Sequence, residues 1–550
     1  MSGTMRKKMM MLCVAIAAMS MVMISCSDNK DNVPGVPETP ENEYGIEVEA
    51  GMTIPENKFL KVPAVAGDQN VINALKAIDR VTDVKAFELS TAWDYYNDKY
   101  LYKTAYYFNY KQDIDHNNPS KGWFKQQCVL TVAGQDRPTV LHTEGYALGR
   151  KNNELHLLGE PMLVSVLNAN CLQVEYRYHG WSLPEGYTNK FHYLTCKQQS
   201  DDLHAIVTAI KQSGIVGKDS KWLSTGVSKN GMTTAHYAYH YPNEMDAYVP
   251  FCAPFLVGLS NTGPYSYILQ KEALGGDETK INAVREAFRN YISDKELQAE
   301  CVKLYKQKKA KDYTGNDEYT RKLLLEAIFS FYFAKMSYVA YTGWEPMIPK
   351  KGDSAEKYYN FIMSDGDWEE YPGETETQYY RRKDYVDDFE PDTTLWSTPY
   401  ALRRAQQIMR LDPYYTQTCI DLGNYVNIIN WAEDLLTDEE KQFITEPFNP
   451  ADFGVTYDNG KFINEFFEGM KNSDCNIMFV YSMQDPWTGG QIPDQYLGKN
   501  SSKLFISSML DSPEAGYEAG LHNDAIDKWS PSDRNELFKW LNKVGFLPDE

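Results

Sequence analysis

The chain has 550 residues, of which 43% are hydrophobic, and a formal net charge of −21 at pH 7. This acidic excess argues against nucleic acid as a partner, because its phosphates would be repelled. The length is sufficient for one large domain with an insertion, or for two domains. Apart from Cys13 and Cys26, the cysteines are scattered without a C-x-x-C pair, which argues against a cysteine-based zinc or redox site.

The N-terminal segment resembles a bacterial lipoprotein signal. Basic residues within the first eight positions precede an apolar run over 9–24, which leads into "MISC". This pattern predicts a signal peptide over 1–25, whose cleavage leaves Cys26 as the lipidated first residue. Residues 26–45 are acidic and proline-rich, which predicts a flexible tether. We expect a bacterial outer-membrane lipoprotein, on the periplasmic side or at the cell surface, that contacts the membrane only through Cys26. An ordinary secretory signal is the alternative.

Residues 46–255 alternate between helical and strand patterns. "NVINALKAIDRV" has the apolar spacing of a helix, and "YKTAYYFNYKQDIDHNNPSKGWFKQQCVLTVAG" predicts two strands around a turn-rich stretch. The next predicted strands are "PTVLHT", "CLQVEYRY", "KWLSTGVS" and "DAYVPFCAPF", with helices at "SDDLHAIVTAIKQSG" and "KNGMTTAHYAYHYP". This alternation predicts an α/β fold with a mostly parallel sheet and helices on both faces.

Residues 256–450 differ from the segment before them. Long helical patterns dominate, among them "KINAVREAFRNYI", "DKELQAECVKLYKQKK", "EYTRKLLLEAIFSFYFAKMSYVAY" and "TPYALRRAQQIMRL". We interpret this segment as an α-helical insertion. The α/β pattern returns over 451–550, with a strand in "CNIMFVYSM", a helix-like run in "SKLFISSML" and a final helix in "PSDRNELFKWLNKVGF".

The stretch "WLSTGVSKNGMT", residues 222–233, leads from a predicted strand through Ser228 into a predicted helix. α/β-Hydrolases present a nucleophilic serine on such a strained turn, with small residues around it. Gly226 and Gly231 supply two of these, while Asn230 stands where G-x-S-x-G has its second glycine. The pattern predicts a nucleophile at Ser228, and a serine in an ordinary glycine-rich loop is the alternative.

A nucleophilic serine needs a base, and the base needs an acid that orients it. In this class of hydrolase the chain order is Ser, then Asp or Glu, then His. Three histidines follow Ser228 in the sequence. His236 and His240 belong to the helix directly after the turn and point away from it. His522, in the loop "EAGLHND", is therefore the predicted base.

The predicted acid is Asp485. It lies at the carboxyl end of the apolar strand in "IMFVYSM", at the sheet edge where ligands bind. Two rivals fit less well. Asp511 follows a helix-like run rather than a strand, and Asp524 is too near His522 in the sequence to be its usual partner.

An oxyanion hole needs backbone N–H donors. The residue after the nucleophile, Lys229, is expected to supply one of them. The second is expected from the loop "HTEGYALG" after an early strand, at Gly145 or Tyr146. Chemistry of this kind needs no metal and no organic cofactor.

Four stretches, "STGVSKNGMT", "VEYRYHG", "QDIDHNNPSKGWFKQQ" and "YSMQDPWTGG", together resemble the prolyl tri/tetrapeptidyl aminopeptidase family of serine peptidases. They are more distantly similar to lysosomal prolyl carboxypeptidase and dipeptidyl peptidase 7. The resemblance implies an α/β-hydrolase fold with a helical cap inserted between nucleophile and acid. It also implies release of short peptides from free N-termini, often after proline. The family's turn reads Gly-Gly-Ser-Lys-Gly-Gly-Met, so Val227 and Asn230 replace two of its glycines.

An aminopeptidase of this family must bind a protonated amine, which requires a carboxylate near the site. Glu175 in "VEYR" and Glu144 in "HTEGY" lie at or near the ends of strands close to the turn, and either fits this role. A structural ion pair with Arg177 or another base is the alternative for Glu175. Peptides are the expected partners. Two other functions stay open, namely an esterase on the same fold and a surface binding lipoprotein with an inactive hydrolase fold.

Overall fold

The structure is a computed structural model. It describes residues 65–88, 104–146, 162–179, 191–268, 278–308, 316–330, 348–363, 413–483, 485–506 and 529–547, with short pieces at 148, 150–151, 154–155, 182–184, 522 and 526. The predicted signal peptide, Cys26 and the tether lie outside these residues. Among the described residues, no helix is both long enough and apolar enough to cross a membrane.

The strands follow one another along the chain as β1 (Val81–Glu88), β2 (Thr104–Asp113), β3 (Trp123–Thr131), β4 (Thr139–Thr143), β5 (Arg150–Lys151), β6 (Glu154–Leu155), β7 (Asn170–Val174), β8 (Trp222–Val227), β9 (Ala247–Phe251), β10 (Ile477–Ser482) and β11 (Ser501–Ile506). Nine of them form one sheet in the order β1-β2-β3-β7-β4-β8-β9-β10-β11. The pairs from β1 to β7 are antiparallel, and the pairs from β7 to β11 are parallel. The sheet is therefore parallel over the half that carries the predicted nucleophile and acid.

The helices, in chain order, are α1 (Gln69–Lys76), α2 (Met162–Leu167), α3 (Cys196–Gln212), α4 (Lys229–His240), α5 (Gly263–Ile268), α6 (Glu278–Ser293), α7 (Lys295–Lys308), α8 (Asp317–Ser330), α9 (Ala355–Met363), α10 (Pro413–Gln417), α11 (Asp438–Thr445), α12 (Lys461–Asn472) and α13 (Pro531–Lys543). Several begin at side chains that accept from the first turn. Thr437 and Glu440 form a capping box at α11, and Ser530 caps α13.

Helices cover both faces of the sheet, as the alternating pattern predicts. On one face α3, α4 and α12 contribute buried residues such as Ile206, Met232 and Phe466 to one hydrophobic core. On the other face α2 and α13 contribute Leu163 and Leu541 to a second core. Burial of such side chains, at about 25 cal/mol per Å² of apolar surface, holds the helices against the sheet.

The described residues between β9 and β10 are mostly helical and have a hydrophobic core of their own. In α6 the buried residues Val284, Ala287, Phe288 and Tyr291 recur at the spacing of one helix face. They pack with residues of α7, α8, α9 and α11 in the same cluster. The described helices between β9 and β10 therefore share one hydrophobic core, while "TPYALRRAQQIMRL" lies outside the described residues.

The predicted secondary structure needs correction in two places. The strand β1 is absent from the prediction, although it forms the sheet edge beside β2. The run "SKLFISSML" is not helix-like at its start, because Ser501–Ile506 is the parallel strand β11. Leu504 and Ile506 are buried while Phe505 between them is exposed, which is the two-residue period of a strand.

Candidate active site

One edge of the sheet brings together reactive side chains from distant parts of the chain. Ser228 follows β8, Cys252 follows β9, and Asp485 lies just beyond β10. Glu144 follows β4, and Glu175 follows β7. Since these strands are parallel, all of these residues leave the sheet at its carboxyl edge, where open α/β sheets bind their ligands.

Ser228 occupies a backbone conformation that L residues rarely adopt, with φ 62° and ψ −125°. Its N–H donates to the carbonyl oxygen of Phe251 in β9 at 2.9 Å, and its carbonyl oxygen accepts from Met232 N–H at 2.9 Å. Ser228 is the N-cap residue of α4, yet its hydroxyl makes no capping hydrogen bond. A strained serine between a strand and a helix is the turn that presents a nucleophile in α/β-hydrolases.

Two glycines allow the helix to approach the strands this closely. A Cβ on Gly226 would lie 2.7 Å from the backbone carbon and oxygen of Asn230. A Cβ on Gly231 would lie 2.5 Å from the carbonyl oxygen of Phe251. Side chains at either position would push the helix away from the sheet. The turn forms with Val227 and Asn230 in place of the family's glycines.

Asn230 links the turn to the loop after β4. Its Oδ1 accepts from Gly145 N–H at 2.5 Å, and its Nδ2 donates to Oε2 of Glu144 at 3.1 Å. Its backbone oxygen accepts from the hydroxyl of Thr143 at 2.6 Å. A glycine at this position would keep only the last of these bonds. Sequence reasoning treated Asn230 as a departure from a pattern and missed this link.

Asp485 and His522 form a hydrogen-bonded pair, so the structure brings the predicted acid and base together. Nδ1 of His522 lies 2.6 Å from Oδ2 of Asp485, whose side chain is fully buried. The other carboxylate oxygen accepts from Trp487 N–H at 3.0 Å and caps the short 3-10 helix Pro486–Gly490. Because both oxygens have partners, the carboxylate plane is fixed, and it fixes the imidazole in turn.

The residues considered and rejected as acid or base do not take part in this pair where the structure describes them. Asp511 and Asp524 lie outside the described residues. His236 and His240 contact Phe462 of α12, with ring centroids 4.9 and 5.9 Å away. Burial lowers the pKa of His236 to about 3 and the pKa of His240 to about 4. Both are neutral near pH 7 and pack against a neighbouring helix.

The expected first oxyanion donor is Lys229, and Gly145 and Tyr146 are the two alternatives for the second. Lys229 is the first residue of α4, so its N–H emerges at the end of the helix beside the serine. Gly145 donates its N–H to Asn230. Tyr146 is held by a different bond, in which its carbonyl oxygen accepts from Tyr176 N–H at 3.0 Å. The N–H of Gly145 therefore already has an acceptor within the protein.

The side chain of Lys229 is buried among aromatic rings. Its ammonium lies 4.3 Å from the ring centroid of Tyr176, 4.8 Å from that of Tyr146 and 5.2 Å from that of Tyr414. Nε2 of His179 lies 3.4 Å from the ammonium. Burial, together with this positive charge, holds the pKa of His179 well below its usual value. Desolvated cation–π contacts contribute about 2 kcal/mol, so the side chain as well as the backbone anchors the start of α4.

Glu175 is fully buried and enclosed by hydrogen-bond donors. One carboxylate oxygen accepts from Leu148 N–H at 3.1 Å, and the other accepts from the N–H and hydroxyl of Ser182 at 3.1 and 2.8 Å. Arg177 instead makes a two-pronged ion pair with Asp202, at 2.8 and 2.6 Å. The alternative of a Glu175–Arg177 pair is therefore not the arrangement found.

Glu144 is the more open of the two candidate amine anchors. Its side chain is 12% exposed and lies 3.4 Å from Nδ1 of His142. Burial raises the pKa of Glu144 well above its usual value, and the negative charge of Glu175 adds to the rise. Burial also lowers the pKa of His142 to about 4, so His142 carries no compensating positive charge near pH 7. A cation that reaches this site would find two acidic side chains close together.

Cys252 lies beside the Asp485–His522 pair, which sequence reasoning did not predict. Its φ is 49°, and its N–H donates to the carbonyl oxygen of Val480 at 2.7 Å. Its Sγ, a carboxylate oxygen of Asp485 and a ring nitrogen of His522 lie within 4.8 Å of one another. The available signal was its position directly after a strand, which is the position that Ser228 has after β8.

The sheet order, the helices on both faces and the strained serine turn define an α/β-hydrolase fold. Residues 74–321 match the family model described as PS-10 peptidase S37. The chain is also 25% identical over 421 residues to the prolyl tri/tetrapeptidyl aminopeptidase of Streptomyces mobaraensis, which covers 75% of this chain and 74% of that protein. The predicted family resemblance is confirmed, and both matches support a serine peptidase.

Solved structures with detectable similarity include two hydrolases. A proline iminopeptidase from Mycobacterium smegmatis is 11% identical with a TM-score of 0.31, covering 76% of this chain and 95% of that one. An alpha/beta fold family hydrolase from Bacillus anthracis str. Sterne is 10% identical with a TM-score of 0.29, again covering 76% of this chain and 95% of that one. The fold assignment rests on the sheet order and the turn rather than on these similarities.

Proposed function

We propose that this chain is a serine exopeptidase that releases tripeptides and tetrapeptides, with a preference for proline, from free N-termini. The observation that carries the proposal is the His522–Asp485 hydrogen bond, at the sheet edge that also presents Ser228 on a strained turn. The product length and the proline preference are those in the name of the relative from Streptomyces mobaraensis. They are extended here to a chain that is 25% identical to that relative over 421 residues.

The proposed reaction uses three side chains. Oγ of Ser228 attacks the scissile carbonyl carbon, and His522 takes the hydroxyl proton and then donates it to the leaving amine. Water attacks the resulting acyl-enzyme, with His522 again as the base, and the short N-terminal peptide leaves. Asp485 holds Nδ1–H of the imidazole and stabilises the imidazolium that forms, which its two fixed oxygens suit it to do.

The negative oxygen of each tetrahedral intermediate needs preorganised donors. We assign these to the backbone N–H groups of Lys229 and Tyr146. The Lys229 ammonium lies above the Tyr146 ring, so one aromatic contact ties the two donor residues together. A displacement of either residue would weaken both donors. Loss of one oxyanion donor costs about 10²–10³-fold in kcat in other serine peptidases.

We assign the substrate amine to Glu144 and regard Glu175 as its electrostatic support. Glu144 has exposed surface, whereas Glu175 is enclosed by Leu148 and Ser182. Asn230 holds Glu144 from the turn that carries Ser228, so the amine anchor and the nucleophile belong to one connected unit. The distance between Glu144 and Ser228 would then set how many residues separate the substrate's N-terminus from the scissile bond.

The helical insertion is proposed to act as a cap that admits short or unstructured peptide ends. Residues of the insertion contact Tyr146 on one side of the site, and Trp487 and Met483 near Asp485 on the other. Tyr414 packs on Tyr146 with ring centroids 5.8 Å apart, and Tyr425 packs on Trp487 with centroids 5.0 Å apart. The hydroxyl of Tyr267 donates to the carbonyl oxygen of Met483 at 2.9 Å. A folded protein would have to displace these contacts to reach Ser228.

The test is digestion of a peptide library with free N-termini, read by mass spectrometry. The expected products are N-terminal tripeptides and tetrapeptides, enriched for proline at the cleaved position. Ser228→Ala should abolish product formation and leave the melting temperature nearly unchanged, because the hydroxyl makes no capping bond. Cleavage that survives this substitution would overturn the mechanism.

The same library separates the alternative functions. Equal cleavage of N-acetylated peptides would remove the aminopeptidase assignment. Hydrolysis of simple esters without any peptide cleavage would establish the esterase, and peptide binding without turnover would establish an inactive binding protein. Each result depends on substrates alone, so none of them requires a further variant.

We also propose that the chain is held at the bacterial outer membrane by a lipid on Cys26, with peptides as its substrates and no nucleic-acid partner. The support is the signal-like segment before Cys26 and the net charge of −21. Labelling of cells with a lipid precursor tests the anchor, because Cys26→Ser should abolish both the label and membrane recovery. A full-length Cys26→Ser protein that still sediments with membranes would contradict it.

A further inference from the structure

We propose that Cys252, Asp485 and His522 form a binding site for a soft divalent cation of the Zn²⁺ class, and that the bound ion switches the peptidase off. The inhibitory part rests on the proposed function, whereas the binding part does not. The cation acts as an inhibitor rather than as a cofactor, so the reaction proposed above needs no metal.

The geometry comes from three chain segments that meet at the sheet edge. Cys252 follows β9, Asp485 follows β10, and His522 comes between β11 and α13 in the chain. Their ligand atoms lie within 4.8 Å of one another. Zinc bonds of about 2.3 Å to sulfur and about 2.0 Å to nitrogen or oxygen place the ligands of one tetrahedral ion about 3.3–3.5 Å apart. Side-chain movements of about 1 Å would therefore bring the three ligand atoms to this spacing. If Nδ1 of His522 is the ligand, it would move away from Oδ2 of Asp485, from which it now lies 2.6 Å.

The ligand set selects the class of metal. One thiolate, one imidazole nitrogen and one carboxylate oxygen suit Zn²⁺ and the softer Cd²⁺, whereas Ca²⁺ and Mg²⁺ require oxygen ligands. Binding would release the thiol proton of Cys252 to solvent and leave two negative ligands on the ion. The fourth tetrahedral position would be filled by water.

Occupation of this site is incompatible with the proposed catalytic role of His522. If the ion binds Nδ1, the hydrogen bond to Asp485 is lost and the imidazole loses its orientation. If the ion binds Nε2, the lone pair that must accept the serine proton is used. In either case the base is withdrawn while the fold stays intact.

Binding is tested on the purified full-length chain by isothermal titration with ZnCl₂. We expect a single strong site whose affinity falls at least tenfold in Cys252→Ser, because even outer-shell changes cost about 10–100-fold. Cys475→Ser is the matched control, since Cys475 is also buried but lies at the opposite end of β10. Its affinity should equal that of the wild type. Equal binding by Cys252→Ser and the wild type would overturn the proposal.

A second measurement identifies the ligand directly. Cd²⁺ should produce a thiolate-to-metal charge-transfer absorption in the wild type and in Cys475→Ser, and none in Cys252→Ser or Cys252→Ala. Circular dichroism melts of both Cys252 variants establish that they are folded. A wild-type chain that binds neither ion at micromolar concentration would refute the site.

Inhibition is then measured on peptide cleavage, relative to the metal-free rate of each variant. Zn²⁺ should inhibit the wild type reversibly, with recovery on addition of chelator, and should inhibit Cys252→Ser at least tenfold more weakly. If the chain binds Zn²⁺ through Cys252 but cleaves no peptide, the binding site stands and the proposed function fails. Peptide cleavage that is unaffected when the site is saturated would refute the inhibitory part alone.

Discussion

The two sides of the candidate site are held in different ways. On the turn side, residues 226–231, backbone packing is so close that one added Cβ at Gly226 or Gly231 would collide with the chain. On the histidine side, Asp485 and His522 are joined by a hydrogen bond between their side chains. The turn side is therefore positioned by backbone packing, and the histidine side is positioned by a hydrogen bond between side chains. Substitutions on the histidine side should change protonation, and those on the turn side should change placement.

On the histidine side, the largest effect is expected from Asp485→Asn. The amide is nearly isosteric and keeps an oxygen for Trp487 N–H, so the 3-10 helix cap survives. It offers an N–H to the imidazole of His522 and thereby favours the wrong tautomer. We expect kcat for peptide cleavage to fall about 10⁴-fold with a melting temperature near that of the wild type.

The matched control for this substitution is Asp494→Asn. Asp494 begins a neighbouring 3-10 helix and makes an ion pair with Lys503, but its side chain is exposed. Its kcat should match the wild type. Retention of more than about a tenth of wild-type kcat by Asp485→Asn would show that the histidine side does not act through this carboxylate.

A smaller effect is expected from Glu144→Gln, which tests the amine anchor. A charged hydrogen bond contributes about 1.5–3 kcal/mol, so kcat/KM for free N-termini should fall about 10–100-fold. Activity on N-acetylated peptides should barely change. Glu468→Gln on the exposed face of α12 is the control.

The assignment of Glu144 as the amine anchor also predicts the direction in which activity changes with pH. The pKa of Glu144 is raised by burial and by Glu175, so at low pH the group is neutral and cannot pair with an ammonium. The ratio of kcat/KM for free and acetylated peptides should rise as Glu144 ionises, and fall as the substrate amine loses its proton near pH 8. In Glu144→Gln the ratio should be low and lack the rising limb. A rising limb that persists would shift the anchor to Glu175.

The elements that position the site were predictable because their signals are local. The apolar runs before Ser228 and Asp485 are bounded by turn residues, and a single histidine was available in the loop region near the C-terminus. The run around Leu504 was misinterpreted, since a short apolar stretch reads as either helix or strand until its partner strand is known.

The rest of the site depends on contacts between residues far apart in the chain. Asn230 meets Gly145 across 85 positions, and no spacing rule connects an amide to a backbone N–H over that distance. The burial of Lys229 among three tyrosines is equally invisible, because lysine is normally exposed. Cys252 gains its significance only when strand order places β9 beside β10.

The smallest predicted effect tests the link made by Asn230. In Asn230→Ala the N–H of Gly145 loses its acceptor and Glu144 loses a donor. Each lost bond costs about 1 kcal/mol, so we expect the free energy of unfolding to fall by about 1–2 kcal/mol, and kcat to fall about tenfold because the turn is no longer tied to the loop after β4. Asn464→Ala removes a comparable amide hydrogen bond from α12 and should leave kcat unchanged.

Asn230→Asp makes the same test sharper, because it keeps the acceptor for Gly145 and replaces the donor to Glu144 with a negative charge. Two carboxyl groups at the 3.1 Å separation found here repel each other, so the pKa of Glu144 should rise further. The hydrogen bond from Asn230 lowers the pKa of Glu144, so the rising limb of the free-to-acetylated ratio should move to higher pH in Asn230→Ala and still further in Asn230→Asp. If the limb stays in place in both variants, Asn230 supports the turn alone, and the nucleophile and the amine anchor are positioned independently.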